Sequence, residues 1–236
     1  MRFVEVKSAE QLDMQTLHRV RDRLICDRTS LMNQMRSLLL ERGHIVPNGH
    51  AKLREHLARP LVKGSPLTPR IRELLIDMRQ HWKALNKRIA DLDAEFVEAT
   101  RADKRTQRLL TTPGIGALNA TALVAAVADA RTFNRGSDLT AWLGLVPRQA
   151  TTGGKPRLLG ITKRGSRYLR KNLIQGARAS LPTLSKSQTR LGAWLRALAA
   201  RAHHNAAVVA LAGKIARIAW ALLRHEQRYE ATPLAG

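Results

Sequence analysis

The densest chemistry in the chain lies between Leu143 and Arg170, in the stretch LGLVPRQATTGGKPRLLGITKRGSRYLR. It carries the cations Arg148, Lys155, Arg157, Lys163, Arg164, Arg167 and Arg170, punctuated by Gly153, Gly154, Gly160 and Gly165 and interleaved with the hydroxyls of Thr151, Thr152, Thr162 and Ser166. Guanidinium and ammonium groups neutralise phosphates, and hydroxyls and glycine-exposed N–H groups hydrogen-bond their oxygens, so the pattern suits a nucleic-acid backbone. A solvated basic loop with no partner is the bland alternative, and the density of cations weighs against it. From Leu139 to His225 there is no Asp or Glu, against sixteen Lys and Arg. Two-metal phosphoryl transfer and paired-carboxylate acid–base chemistry cannot be assembled from that segment alone. What remains for covalent chemistry is a hydroxyl among cations: Thr151, Thr152, Ser137, Ser166 or Tyr168. Arginines would stabilise charge developing on a phosphate.

A second motif is Pro113-Gly114-Ile115-Gly116 ahead of the helical run ALNATALVAAVAD. It reads as the turn of a helix-hairpin-helix. Pro113, Gly114 and Gly116 would let the backbone approach a phosphate, and the following helix would offer its free N–H groups. An ordinary capping turn is the competing reading. His203 and His204 are adjacent, so on a helix they point to different faces and form no chelating pair.

The chain as a whole supports a polyanionic partner. Lys plus Arg total 41 against 18 acidic residues, a net charge of +23, which draws nucleic acid by its field alone. The single cysteine, Cys26, excludes a disulfide framework and a Cys-based zinc site within one chain. It fits a reducing, cytoplasmic setting. The N-terminal residues show no signal-peptide core. The stretch from Ala206 to Leu223 is apolar, but Lys214 and Arg217 interrupt it, so no membrane span is expected.

The elements that must position these residues read as helices. Aromatics make up only 4% of the chain, so the core must rest on Leu, Ala, Val and Ile, a composition that favours helix over sheet. Residues from about Ala9 to Arg42 form one helix, with Leu17, Leu24, Leu31 and Leu38 seven apart and Val20, Ile25, Met32, Met35 and Leu39 widening the stripe. Turn signals at Gly43, Pro47, Asn48 and Gly49 precede a short helix over His50–Ala58, and a second break runs through Pro60, Gly64, Pro66 and Pro69. Ile71, Leu75, Met78, Trp82, Leu85, Ile89, Leu92 and Phe96 then alternate steps of four and three, a coiled-coil seam. The predicted fold is mostly all-α: a long coiled-coil helical hairpin forming a linker over residues 1–108, whose two heptad helices pair with each other antiparallel or with another chain, then a compact helical domain over 109–236. Its last helices are expected near Ser166–Ser180, Leu191–Ala202 and Ala206–Arg228, with the Gly-rich stretch as a basic loop.

The run TTPGIGALNATALVAAVADARTFNRGSDLTAWLGLVPRQATTGGKPRLLGITKRGSRYLRKNLIQGARA resembles the C-terminal transposase domain of the insertion sequence 110/1111 group. The upstream RFVEVKSAEQLDMQTLHRVRDRLICDRTSLMNQMRSLLLERG resembles that group's helical linker, and the likeness covers about residues 2–180. It implies a transposase that binds DNA and a structured guide RNA, works as a homo-oligomer, and joins DNA strands through a hydroxyl. The group carries an Asp/Glu/Asp/Asp metal site on a RuvC-like domain upstream of the matched part. That domain is expected to be absent here, with magnesium entering only alongside it and no cofactor held by this chain. The group also places a nucleophilic Ser before the Gly-Gly pair. That position is Thr151 here, followed by Thr152, and both stand as candidates. Two further readings remain: a catalytically silent, truncated nucleic-acid binder, and a tyrosine-type recombinase acting through Tyr168.

Overall fold

The computed structural model describes residues 6–58, 67–151, 153–155 and 157–234. It is mostly helical, and its only sheet among these residues is a two-stranded ribbon. Two compact units emerge: Thr16–Glu95, and Met1–Gln15 together with Phe96–Gly236. Residues 6–15 and 96–108, part of the linker read from the sequence, group with the C-terminal part. Pro60, Gly64 and Pro66, read as a break, lie outside the described residues.

Within Thr16–Glu95, helices α1 (Ala9–Leu40) and α3 (Pro69–Ala102) run antiparallel, with α2 (His50–Ala58) between them in sequence. The direction is fixed by two cross-links, Arg21 to Asp93 and Arg28 to Asn86: as one number rises the other falls. The heptad on α3 is the buried seam, with Leu75, Trp82, Leu85 and Ile89 inside. On α1 the seam departs from the sequence reading. Met32, Met35 and Leu39 are buried with Leu53, Leu57 and Leu75, whereas Leu17, Leu31 and Leu38 are half-buried and Val20 is exposed. A helix that faces α2 as well as α3 needs a wider, shifted stripe than a strict heptad supplies.

His18 is an unexpected member of this buried face, 4% exposed. Burial, reinforced by the Arg21 charge, lowers its pKa to about 4. The folded chain therefore binds this proton less readily than the unfolded chain, whose histidine titrates near 6.5. The stability contributed by His18 is complete above pH 6.5 and drains as pH falls toward 4. A shift of this size corresponds to about 3 kcal/mol. Denaturant unfolding at steps between pH 7 and pH 4 should show that loss, and His18→Leu should flatten the profile. An unchanged profile in the variant would assign the acid sensitivity to other groups.

The C-terminal unit is organised around α9 (His204–His225), whose Ala207, Val208, Leu211, Ala212, Ile215, Ala216 and Ala219 are all buried. By length and composition α9 would pass for a membrane span, contrary to what Lys214 and Arg217 suggested. Here it is the central core helix, packed by α4 (Lys104–Leu110), α6 (Gly136–Trp142), α7 (Arg167–Lys186) and α8 (Arg190–Ala199). The small Ala residues let these helices approach closely. Lys214 is accommodated by laying its ammonium over the Trp194 ring, 4.9 Å from the centroid. The Trp220 indole N–H donates to the Ala130 and Phe133 carbonyls, pinning a 3₁₀ turn (Ala130–Thr132) to α9. Helix α7 continues six residues beyond the expected Ser180, through Pro182. Leu184 buries its side chain beyond the proline, which offsets the hydrogen bond the proline cannot donate.

Candidate nucleic-acid interface

The basic stretch is not a plain loop. Strands β1 (Pro147–Gln149) and β2 (Leu158–Ile161) pair antiparallel, with Pro147 opposite Ile161 and Gln149 opposite Leu158. The pairing extends both ways: Ala150 N donates to Arg157 O, Thr162 N to Val146 O, and Lys163 N to Gly144 O. The ribbon's tip carries Gly153, Gly154 and Lys155. Gly153 and Gly154 both have positive φ, +58° and +74°, the pair of values a tight hairpin turn requires and glycine adopts freely. A Gly-Gly flanked by two short extended runs is a hairpin signal that could have been read. The crowd of cations, prolines and glycines hid it.

The ribbon's base is fastened by backbone contact. A Cβ on Gly165 would lie 1.9 Å from Trp142 O, and one on Gly144 would lie 2.0 Å from Arg164 O. Arg170 completes the joint, donating to Leu143 O at 3.1 Å and Arg164 O at 3.0 Å. It therefore serves the ribbon's base, and its reach toward a phosphate is limited by that task. Arg148, Lys155, Arg157, Lys163, Arg164 and Arg167 are all exposed, and none has an ion-pair partner among the described residues. Two leucines that the sequence reading passed over also stand out on β2: Leu158 is 64% exposed and Leu159 40%.

The candidate hydroxyls separate by environment. Thr151 is exposed beside the two tip glycines. Thr152 lies outside the described residues. The Thr162 hydroxyl is buried without a hydrogen-bond partner among the described residues. Ser166 caps α7, its Oγ accepting from Leu169 N at 3.3 Å, and Ser137 Oγ donates to Asp138. Tyr168 is half-buried against the core, with Lys171 Nζ 5.4 Å from its ring centroid.

The PGIG motif joins α4 to α5 (Ala117–Ala126). Gly114 has φ +87°, and its carbonyl lies against α7, where a Cβ on Gly176 would sit 2.0 Å from Gly114 O. Asn119 Nδ2 ties the same junction, donating to Gly114 O and Asn172 O at 3.2 Å each. The glycine here satisfies an internal close approach. Gly116 is the exposed N-cap of α5 and makes no side-chain cap, so the first-turn N–H groups of α5 are uncapped by any side chain. The first turn of α5 also has no acidic residue, the reverse of the usual preference at a positive helix end, whereas Ser166, Thr189 and His203 cap α7, α8 and α9. An external anion fits the start of α5. No group of three or more His, Cys, Asp or Glu among the described residues is placed to hold a metal ion.

Residues 106–192, which span α4 through the start of α8, match the Transposase IS116/IS110/IS902 family. Over 97% of its length the chain is 45% identical to a probable family 20 transposase of Pseudomonas aeruginosa, covering 68% of that protein. The chain belongs to the IS116/IS110/IS902 transposase family. Two further relatives agree. The transposase for insertion sequence element IS1111A of Coxiella burnetii is 41% identical over 97% of this chain and 63% of its own length. The transposase for IS1328 of Yersinia enterocolitica is 39% identical over 93% of this chain and 65% of its own. The chain thus spans about two thirds of the length of these transposases. The matched region contains the whole ribbon, the PGIG turn and their joint with α7.

Proposed function

We propose that this transposase chain grips duplex DNA with the ribbon and the start of α5, and presents the Thr151 hydroxyl to a backbone phosphate for strand exchange. One observation carries the reading: six exposed cations, without an ion-pair partner among the described residues, lie along a ribbon whose Thr151 hydroxyl is exposed, within a segment that contains no carboxylate. The contacts go to phosphate, so they position the duplex without reading its sequence. A structured guide RNA is a second partner on the strength of the family likeness, as are assembly into a homo-oligomer and action in the cytoplasm. The PGIG turn with α4 and α5 acts as a helix-hairpin-helix, and α1 with α3 as a coiled coil. Thr152 stays a candidate from the resemblance. Tyr168 is disfavoured as a nucleophile because its ring is half-buried against the core.

A silent binder is the second reading, favoured by threonine standing where the family places serine. A β-branched hydroxyl is restricted at χ1, and its methyl crowds in-line attack. The binding itself is tested by replacing Lys163, Arg164 and Arg167 with Ala. If each meets one phosphate, the slope of log affinity against log salt should fall by about 3 in magnitude, and affinity at about 0.15 M salt should drop about 100-fold. Unchanged slope and affinity would remove the ribbon base from the interface.

A further inference from the structure

The unit Thr16–Glu95 holds a cavity of about 680 Å³ between α2 and α3. That volume falls in the range of small-ligand sites, about 300–1,000 Å³. Trp82 is in its lining, and His50 leans against that indole with ring centroids 6.2 Å apart and planes tilted by 35°. Arg54, Arg79 and Lys83 also line it, and Asn86 adds a half-buried amide. No carboxylate among the described residues lines the cavity. None of the three cations has a partner among the described residues. The neighbouring acids Glu55, Glu73 and Asp91 are already paired, to Lys52, Arg70 and Lys87. Arg28 Nη1 donates to Asn86 Oδ1, which fixes the amide and leaves its NH₂ as the free donor.

We propose that this cavity takes an unpaired nucleotide of a nucleic-acid strand: the base enters against His50 and the Trp82 floor, the Asn86 amide meets its edge, and Arg54, Arg79 and Lys83 hold the flanking phosphates. Aromatic surface next to uncompensated cations is the chemistry of single-stranded recognition, because every base has a π-face and every linkage a charge. A purely apolar ligand would leave three cations unanswered. A free anion would leave the rings and amide unused. His50 is well suited to a stacking role, since desolvation and the charges of Arg28 and Arg36 lower its pKa and favour the neutral ring. The inference rests on reading the chain as a nucleic-acid binder, and it places a second contact on a unit separate from the ribbon.

The test uses the full chain with hairpin oligonucleotides that carry 2-aminopurine either in a one-base bulge or fully paired, each made as RNA and as DNA. The bulged probe should bind about 10-fold tighter than the paired one, with its fluorescence quenched by stacking. Arg54→Ala, Arg79→Ala and Lys83→Ala combined should abolish that preference while leaving binding of the paired duplex in place. His50→Ala should weaken the quenching and His50→Phe restore it. A preference in either the RNA or the DNA arm supports the site and identifies the strand. Equal binding of bulged and paired probes in both arms overturns it, as does a preference that survives the triple substitution. If the paired duplex still binds with a steep salt dependence in those cases, the ribbon reading stands and only this site falls.

Discussion

Thr151→Ala is expected to lower strand transfer by about 10³-fold or more, the scale on which an enzyme loses activity with its nucleophile. In the proposed reaction the Thr151 oxygen attacks phosphorus, one bridging P–O bond breaks, and a threonyl phosphodiester forms while the departing oxygen takes a proton. The cations at the ribbon can stabilise charge on the non-bridging oxygens. Removing the hydroxyl proton is a separate task, and the segment from Leu139 to His225 offers no carboxylate for it. The chain by itself is therefore expected to leave DNA intact. The assay adds guide RNA and magnesium, with and without the acidic domain that the family resemblance implies, and looks for a covalent protein–DNA adduct. Thr151→Ser should raise the rate above the wild-type chain, since it keeps the hydroxyl and removes the crowding methyl. An adduct that persists in Thr151→Ala and maps to Thr152 would shift the assignment by one residue. One that maps to Tyr168 would replace the mechanism.

Gly176→Ala should destabilise the C-terminal unit by about 3–5 kcal/mol, near the upper end for single substitutions. The new Cβ would meet Gly114 O at 2.0 Å and Asn119 Nδ2 at 2.8 Å. The first of these is backbone, held by the Thr112–Ile115 turn, and cannot swing aside like the end of a long side chain. Relief requires α7 to move off the PGIG turn, breaking the Asn119 hydrogen bonds and opening the core where Ile115, Leu173 and Ala177 are buried. Gly160→Ala is the matched control: nothing lies within 4 Å of its added Cβ, and the change should stay within about 0.5 kcal/mol. Denaturant unfolding followed by the fluorescence of Trp142, Trp194 and Trp220, all in that unit, reads the difference. Near-equal stability of the two variants would show that α7 and the turn are not in rigid contact.

Much was legible before any coordinates. The period of apolar residues placed α3's seam, because burial on a helix repeats with the helical turn and leaves its record in residue type. The bounds of α2 were read from the turn residues on either side. The charge and the empty acid register from Leu139 to His225 pointed to phosphate, because electrostatics is additive over a sequence and needs no fold to be counted. The family likeness rested on the same residues that the comparisons matched.

Other features depend on distances between residues far apart in the chain, which no local pattern encodes. Gly114 reads as a phosphate contact in isolation. Only its packing against Gly176, 62 positions on, shows that its lack of a side chain serves the fold. Arg170 counts as one more cation in the sequence, yet it is committed to the carbonyls of Leu143 and Arg164. The apolar run of α9 has the composition of a membrane span and becomes a core helix because four other helices cover it. The cavity beside Trp82 needed α2 and α3 to be brought together before His50, Arg54 and Lys83 could share one space. By itself the sequence determined composition, periodicity and charge, which are properties of neighbours along the chain. The tertiary structure decided which cations are free, which glycines are structural and which hydroxyl is exposed, because each of those is set by what packs against the residue.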